Sequence, residues 1–581
     1  MCSFIAYDLV IRNGTVVDGS GFGSYRADVG VVGDTIAFVG RIRDRGRTEI
    51  DADGHVVTPG FVDGHTHMDA QVFWDPSGAY SCWHGVTTAV MGNCGFTLAP
   101  VRAKERPLVV RNLERAEDID AVALAQGIDW SFETFPEYLD AVDRLAKGIN
   151  LAANVGHSAL RTWAMGERAF EEQASPDDLA AMTRQLDQSV RAGAIGFTSS
   201  RSEHHQTSDD RPVASRQAAW SELAALVLVM GEVGAGLFEV ADGGMMDPDP
   251  DTRRAALARL SELAASTGVP ITFGFVATQE AGELLDFMDA AARVGGRFIA
   301  QTHCRGISVL LSFRGRLPFD LIPAWHDFRA RPAPAQLAGL RDPHTRAGLI
   351  ESARDFEYGA FRQIGPQARP PDFEGIRVYR QGLPPNPTVA ELGRQRGVHP
   401  VEVMIDLASE TDLEQLFIQP SLYPQDEATL LRAMRHSRSV VTFSDSGAHL
   451  SQIADASIHT HLLGYWVRDR QEFTLEEAVR MVTLAPALAW GFGDRGLLRP
   501  GLKADINVFD PDQVGPAVPR LVEDLPGGGR RLEQRSEGFL ATVVNGEATI
   551  VNGARTGVTP GRLLRNPLAP AGRPASSAIR P

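Results

Sequence analysis

Short apolar runs broken by turn residues fill the first 57 positions, in "YDLVIRNGTVVDG", "ADVGVVGDTIAFVG" and "TEIDADGHVVTPG". They predict β-strands, and Asn13-Gly14 and Gly33-Asp34 predict the hairpin turns that join them. The same texture returns in "LKADINVFDPD" (502–512) and "ATVVNGEATIVNGARTG" (541–557), so residues 1–57 and 493–565 are expected to build one small β-sandwich from both chain ends. Between them, apolar runs ending in Gly, Ser, His or Asp alternate with helical stretches such as "SPDDLAAMTRQLDQSVRAG" (175–193). The candidate strands are 59–66, 86–92, 150–156, 194–200, 235–241, 269–276, 298–303, 415–420 and 438–445. This alternation predicts an α/β fold, a parallel sheet closed as a (β/α)₈ TIM-type barrel over residues 58–492. Nine candidates for eight places leave one too many. Residues 305–400, rich in Pro and Arg, read as a long insertion over one face, with "ARPAPAQLAG" and "QARPPDFEG" as loops. The tail 566–581, "NPLAPAGRPASSAIRP", has the composition of a flexible terminus or of an arm laid over a neighbouring subunit, which leaves a homo-oligomer open.

At 581 residues, 43% hydrophobic and 22% charged, the chain can bury a large core in more than one domain. A net charge of −16 argues against nucleic acid or an anionic membrane as partner, since either would want a basic face. The opening "MCSFIAYDLVIRNG" has no basic segment followed by a long apolar stretch, and no 18-residue apolar run occurs, so the expected location is the cytoplasm. Cys2, Cys82, Cys94 and Cys304 form no CxxC pair, which indicates neither a disulfide framework nor a zinc ribbon.

Candidate chemistry gathers just beyond the apolar runs, where a barrel places its active site. "FVDGHTHMDA" puts His65 and His67 two positions apart, so that in an extended segment both imidazoles project to one side. Cys94 in "GNCG" follows the second run, His157 in "NVGHSALR" the third, and His204 and His205 in "FTSSRSEHHQ" the fourth. His303 and Cys304 end a later run, and Asp445 and His449 in "SDSGAHL" follow the last. Glu239 and Asp242 in "FEVADGG" offer contacts to a metal or a substrate amine but read more simply as solvated loop carboxylates, Cys82 and Cys304 read as core, and His459 and His461 as packing or capping groups.

"TPGFVDGHTHMD", "SDSGAH" and "LLRPGLKADINVFD" together resemble the metal-dependent amidohydrolase superfamily. "HGVTTAVMGNCGFTLAP", "NVGHSALR" and "RAGAIGFTSSR" narrow the resemblance to N-acyl-D-amino-acid deacylases (D-aminoacylases), over Asp8 to about Arg565. It implies hydrolysis of a small-molecule amide, most simply an N-acyl amino acid of D configuration. It also implies zinc on His65, His67, Cys94 and Asp445, with Asp445 as acid and base. Zinc accepts N, S and O donors and lowers the pKa of water to about 7. The chain departs from that family in two strands: "GLFEVADGG" and "PITFGFVATQ" lack the histidines that D-aminoacylases carry there. The remaining donors suit one zinc better than two, with His303 as the substitute ligand. His157, His205 and His449 are left as substrate contacts, and Arg161, Arg201 and Arg305 as partners for a substrate carboxylate. A dihydroorotase- or hydantoinase-like cyclic amide hydrolase would need a carboxylated lysine, and Lys104, Lys147 and Lys503 lie at no strand end. A non-catalytic barrel that binds a ligand or partner is the alternative outside enzymes.

Overall fold

The computed structural model describes residues 5–358, 369–421, 425–453 and 455–566. Eight short strands form its centre: β1 (Phe61–Asp63), β2 (Val86–Met91), β3 (Asn150–Gly156), β4 (Gly196–Ser200), β5 (Leu237–Ala241), β6 (Ile271–Phe275), β7 (Phe298–Thr302) and β8 (Ser439–Val441). Each pairs in parallel with its neighbour in sequence, from β1 to β8. Closure comes just past the strand ends, where His65–Thr66 pairs in parallel with Phe443–Ser446. β2 and β3 are buried at every position, as strands covered on both faces must be. The outer cover includes the helix Pro176–Ala192. A Ser175–Asp178 capping box starts it, with proline in its first turn, and Met182, Leu186 and Val190 face inward.

The surplus strand is 415–420. Leu416–Gln419 lies outside the barrel and pairs antiparallel with Val309–Ser312 and Arg377–Val378. A short apolar run reads the same in a barrel and in a small covered sheet, so periodicity could not tell them apart. This inserted sheet and its helices have a core of their own, with Trp325, Phe328, Leu340, Val401, Met404 and Phe417 buried. "ARPAPAQLAG" is mostly helix rather than loop, spanning Ala333–Arg341. Pro334 stands in its first turn, where a missing N–H breaks no helical hydrogen bond. In "QARPPDFEG" the described part, from residue 369, is turn and coil.

Strands from both chain ends share one nine-stranded sheet, in which Val56–Pro59 pairs antiparallel with Ile506–Phe509. Gly33-Asp34 turns a hairpin between Tyr25–Val32 and Thr35–Gly40. Asn13-Gly14 does not turn; it is a bulge inside the single strand Ile5–Val16. Asn13 takes the left-handed conformation there, and a Cβ on Gly14 would lie 2.3 Å from Val57 Cγ2. The terminal sheet positions the site directly, because Val56–Pro59 runs through Gly60 into β1. The tail from residue 567 onward lies outside the described residues. Among the described residues, no helix is long and apolar enough to cross a membrane.

Candidate metal centre

Past the end of β1 the chain carries His65 and His67, and past the end of β8 it carries Asp445; the closing pair of strands lays these segments side by side. Asp445 Oδ1 lies 3.1 Å from His67 Nε2 and 3.6 Å from His65 Nε2. Gly447 permits this approach, since a Cβ there would fall 2.6 Å from the His67 carbonyl. Cys94 comes from the turn after β2 and sets Sγ 3.5 Å from His65 Nε2. That separation is about the edge of a zinc tetrahedron with one sulfur and one nitrogen donor. The turn is tied down by hydrogen bonds. The Cys94 N–H donates to Glu239 Oε1 at 2.8 Å, Asn93 Nδ2 to the Thr66 carbonyl at 2.9 Å, and Gly95 N–H to Thr198 Oγ1 at 3.0 Å. Cys94, Asp445 and His449 all hold positive φ angles, 55°, 58° and 48°, and such backbone strain in non-glycine residues gathers at functional sites.

His65 Nδ1 faces Gln301 Oε1 at 2.5 Å, and the hydrogen bond that fits donates from the ring and leaves Nε2 open. Both ring nitrogens of His67 are buried without a hydrogen-bond partner, although Nε2 lies among carboxylates. One of these was not legible beforehand. Glu117, 2% exposed, sits with Oε2 3.5 Å from His67 Nε2. His65, His67 and Cys94 form one group of donors within 4.8 Å of each other; His67, Glu117 and Asp445 form a second, and Cys94, Glu117 and His205 a third.

The charges explain why such a cluster wants a cation. Burial lowers His65 to about 3. Burial would also lower His67, but Glu117, Asp445 and Asp69 outweigh it and hold the ring up to about 10. Asp445 is pushed up by burial and pulled further down by His67, His449 and His65, ending well below the usual carboxylate range. Burial first, then Glu239, Glu117 and Asp445, raise the Cys94 thiol, so a thiolate there needs a positive ion beside it. Glu239 is no solvated loop group. It lies on β5, 1% exposed, and burial lifts it to about 7.

Other predicted residues are placed elsewhere. His303 joins none of the donor groups; its ring packs on Phe443, which also contacts the His65 ring. His157 is engaged at both nitrogens, with Ser199 Oγ and Glu222 Oε1 each at 2.9 Å. Arg161 donates to the same Glu222 carboxylate at 2.5 Å and 2.7 Å. This is a buried ion pair that supports the barrel wall. Glu222→Ala is expected to cost about 3–5 kcal/mol of stability by stranding Arg161, read as a lowered denaturation midpoint at unchanged metal content. Arg201 donates to the Ala218 carbonyl at 3.0 Å, and Arg305 to Asp455 at 2.8 Å and Ser457 at 2.9 Å. His459 stacks on Phe61 and His461 tilts over Tyr465, both as packing groups. Lys147 donates to three main-chain carbonyls, and Lys503 pairs with Asp34. His449 keeps its place at the site, with Nε2 3.9 Å from Asp445 Oδ2. It also lines a cavity of about 490 Å³ with Arg115, His204, Arg316, Ser451 and Gln452.

A family model described as the amidohydrolase family matches residues 48–555. The N-acyl-D-glutamate deacylase of Alcaligenes xylosoxydans xylosoxydans is 29% identical, over 98% of this chain and 99% of its own length. The D-aminoacylase of the same organism is 27% identical, over 96% and 97%. Among solved structures, the N-acyl-D-glutamate deacylase of Bordetella bronchiseptica, complexed with zinc and a phosphonate inhibitor, superposes with a TM-score of 0.63 at 24% identity, covering 96% of this chain and 99% of that one. At that identity the likeness speaks for the fold.

Proposed function

The chain belongs to the amidohydrolase family, and on that premise we propose that it hydrolyses the amide bond of N-acyl amino acids, preferring the D configuration, with zinc held by His65, His67, Cys94 and Asp445. The observation that carries this reading is the convergence of four zinc-type donors on one point, Asp445 Oδ1 lying 3.1 Å from His67 Nε2 and 3.6 Å from His65 Nε2. His67 Nδ1 and Nε2 make no hydrogen bond, Nε2 instead facing carboxylates, and His65 Nε2 lies 3.5 Å from Cys94 Sγ. Two imidazoles, a thiol and a carboxylate are a donor set suited to zinc. The names of the two full-length relatives support the substrate class.

When bound, zinc polarises the acyl carbonyl and makes water acidic enough to act near neutrality. The chain's own residues do the rest. Asp445, ionised and with its side chain partly exposed, takes the proton from the attacking water as the C–O bond forms. It returns that proton to the nitrogen as the C–N bond breaks, so a carboxylic acid and a free amino acid leave. Gln301 fixes the His65 ring, and Glu239 holds the Cys94 turn. The cavity beside His449 has room for a small acylated amino acid.

N-acyl-D-amino acids, N-acyl-L-amino acids and hydantoins offered to zinc-loaded protein test the proposal. Release of free amino acid from the D series, at a kcat/KM at least about tenfold above the L series, is the expected result. Ring opening of hydantoins without deacylation would favour a cyclic amide hydrolase instead. Protein that binds no zinc and turns over nothing would favour a binding barrel.

A further inference from the structure

A second cavity, of about 420 Å³, lies between the end of β7, the helices on either side of β8 and the inserted sheet. None of His65, His67, Cys94 and Asp445 lines it. Its walls are mostly apolar and aromatic. Tyr379 and Ile418 come from the insertion, Leu430 from the helix Glu427–Arg435, and Tyr465 and Trp466 from the helical segment after β8. That segment changes its winding. Ile458–His461 is α-helical, and Leu462–Asp469 continues as a π-helix, a rare form often found at functional sites. His461, at the junction, lines the cavity; it is 5% exposed, and its Nδ1 has no hydrogen-bond partner. Packing on Tyr465, with ring centroids 5.0 Å apart, accounts for the face of the imidazole but not for that nitrogen. Buried polar atoms normally have a partner.

We infer that this cavity is a binding site separate from the metal centre, and that it takes a monocarboxylate carrying a flat aromatic ring. Charge selects the anion. Beside the imidazole, the charged side chains in the wall are Arg305, Glu427 and Arg377. Arg305 is matched by Asp455 at 2.8 Å, and Glu427 by Arg470 at 2.6 Å. Arg377 donates through Nη1 to the Asn386 carbonyl at 2.8 Å, and among the described residues no carboxylate pairs with it. One unmatched positive charge calls for one negative charge on the ligand, and a guanidinium grips a carboxylate with two parallel hydrogen bonds. A phosphate dianion would bring one charge too many. The walls select the ring. Tyr465 and Trp466 stand nearly perpendicular, with centroids 5.0 Å apart, so they offer a ring face and a ring edge together. The volume falls within the range of small-ligand cavities, about 300–1,000 Å³. His461 Nδ1 offers one further hydrogen bond to a ligand seated there.

Calorimetric titration of the full chain with indole-3-acetate, in metal-free and in zinc-loaded form, tests this. Both forms are expected to show the same saturable equivalent at the same affinity, because no donor of the metal centre lines the cavity. Indole, which lacks the carboxylate, is expected to bind wild type at least about tenfold more weakly than indole-3-acetate does, the cost of a lost charge-assisted pair. Arg377→Gln is expected to weaken indole-3-acetate by the same factor and to leave indole unchanged. Tyr465→Leu, which removes a ring from the wall but no charge, is expected to weaken both compounds alike. No saturable binding, binding confined to the zinc-loaded form, or wild-type affinity for indole-3-acetate in Arg377→Gln overturns the inference. Should Arg377→Gln fail to fold, the ratio between the two compounds in wild type and their parallel loss in Tyr465→Leu decide. The metal-free form carries the test, so its outcome is separate from that of the zinc reading above.

Discussion

Asp445→Asn is expected to lower kcat by about 10²–10⁴-fold while bound zinc stays near the wild-type level, the range usual for a positioned acid–base group. Asparagine keeps the volume and one oxygen donor but cannot carry a proton from water to nitrogen. The position favours this role. Asp445 follows β8 in a left-handed backbone conformation, and its side chain is 15% exposed, more open than His65, His67 or Glu117 around it. Three imidazoles, His65, His67 and His449, surround the carboxylate at 3.1–3.9 Å. Burial would favour the neutral acid, but those rings keep the group ionised, and a cation on the same donors has the same effect. A capping aspartate would behave otherwise, with some loss of melting temperature and little change in kcat. Near wild-type turnover in zinc-loaded Asp445→Asn protein would remove Asp445 from the reaction.

The barrel was legible because parallel strands covered on both faces must be apolar throughout, and the chain alternates such runs with amphipathic helices. The convergence of His65, His67, Cys94 and Asp445 was legible because each stands just past one of those runs. Position relative to a strand is not orientation, however. His157 also follows a strand, yet it begins the helix His157–Met165 and is held at both nitrogens by Ser199 and Glu222. His303 follows β7, but Phe443 packs against it and also against His65. Glu117 was hidden for the opposite reason. "RAEDID" has the composition of a solvated charge run, and only the tertiary fold brings it over His67. Glu117 stands between the helices Arg106–Glu114 and Ala121–Gly127 in the connection from β2 to β3, away from any strand end where chemistry was sought. Glu239 was misread although the expected strand 235–241 contains it: the carboxylate was assigned to the polar loop that follows, whereas it points from β5 into the buried site.

Replacing His65 and His67 together with alanine is expected to abolish deacylation and to remove the zinc equivalent those residues hold, with the fold retained. Both rings are buried and converge from one strand extension on Asp445, so their loss removes two of the four donors at once. The fold should survive because β1 is held by its ladder to β2 and by the close contact of the Gly64 N–H with Thr442 Oγ1. Neither depends on the rings. Removing the imidazoles also takes away the positive charge facing Asp445 and Glu117, and in metal-free variant those carboxylates can remain buried by taking up protons. Zinc should therefore stabilise the two proteins differently. A ligand at about 1,000 times its Kd contributes about 4 kcal/mol to a folded protein that binds it and nothing to one that does not. Thermal denaturation with and without zinc reads this directly: wild type should gain the full increment, and the double variant should lose the part that belongs to this position. A variant that keeps its full zinc content and the same zinc-dependent rise in melting temperature would show that the cation is held elsewhere.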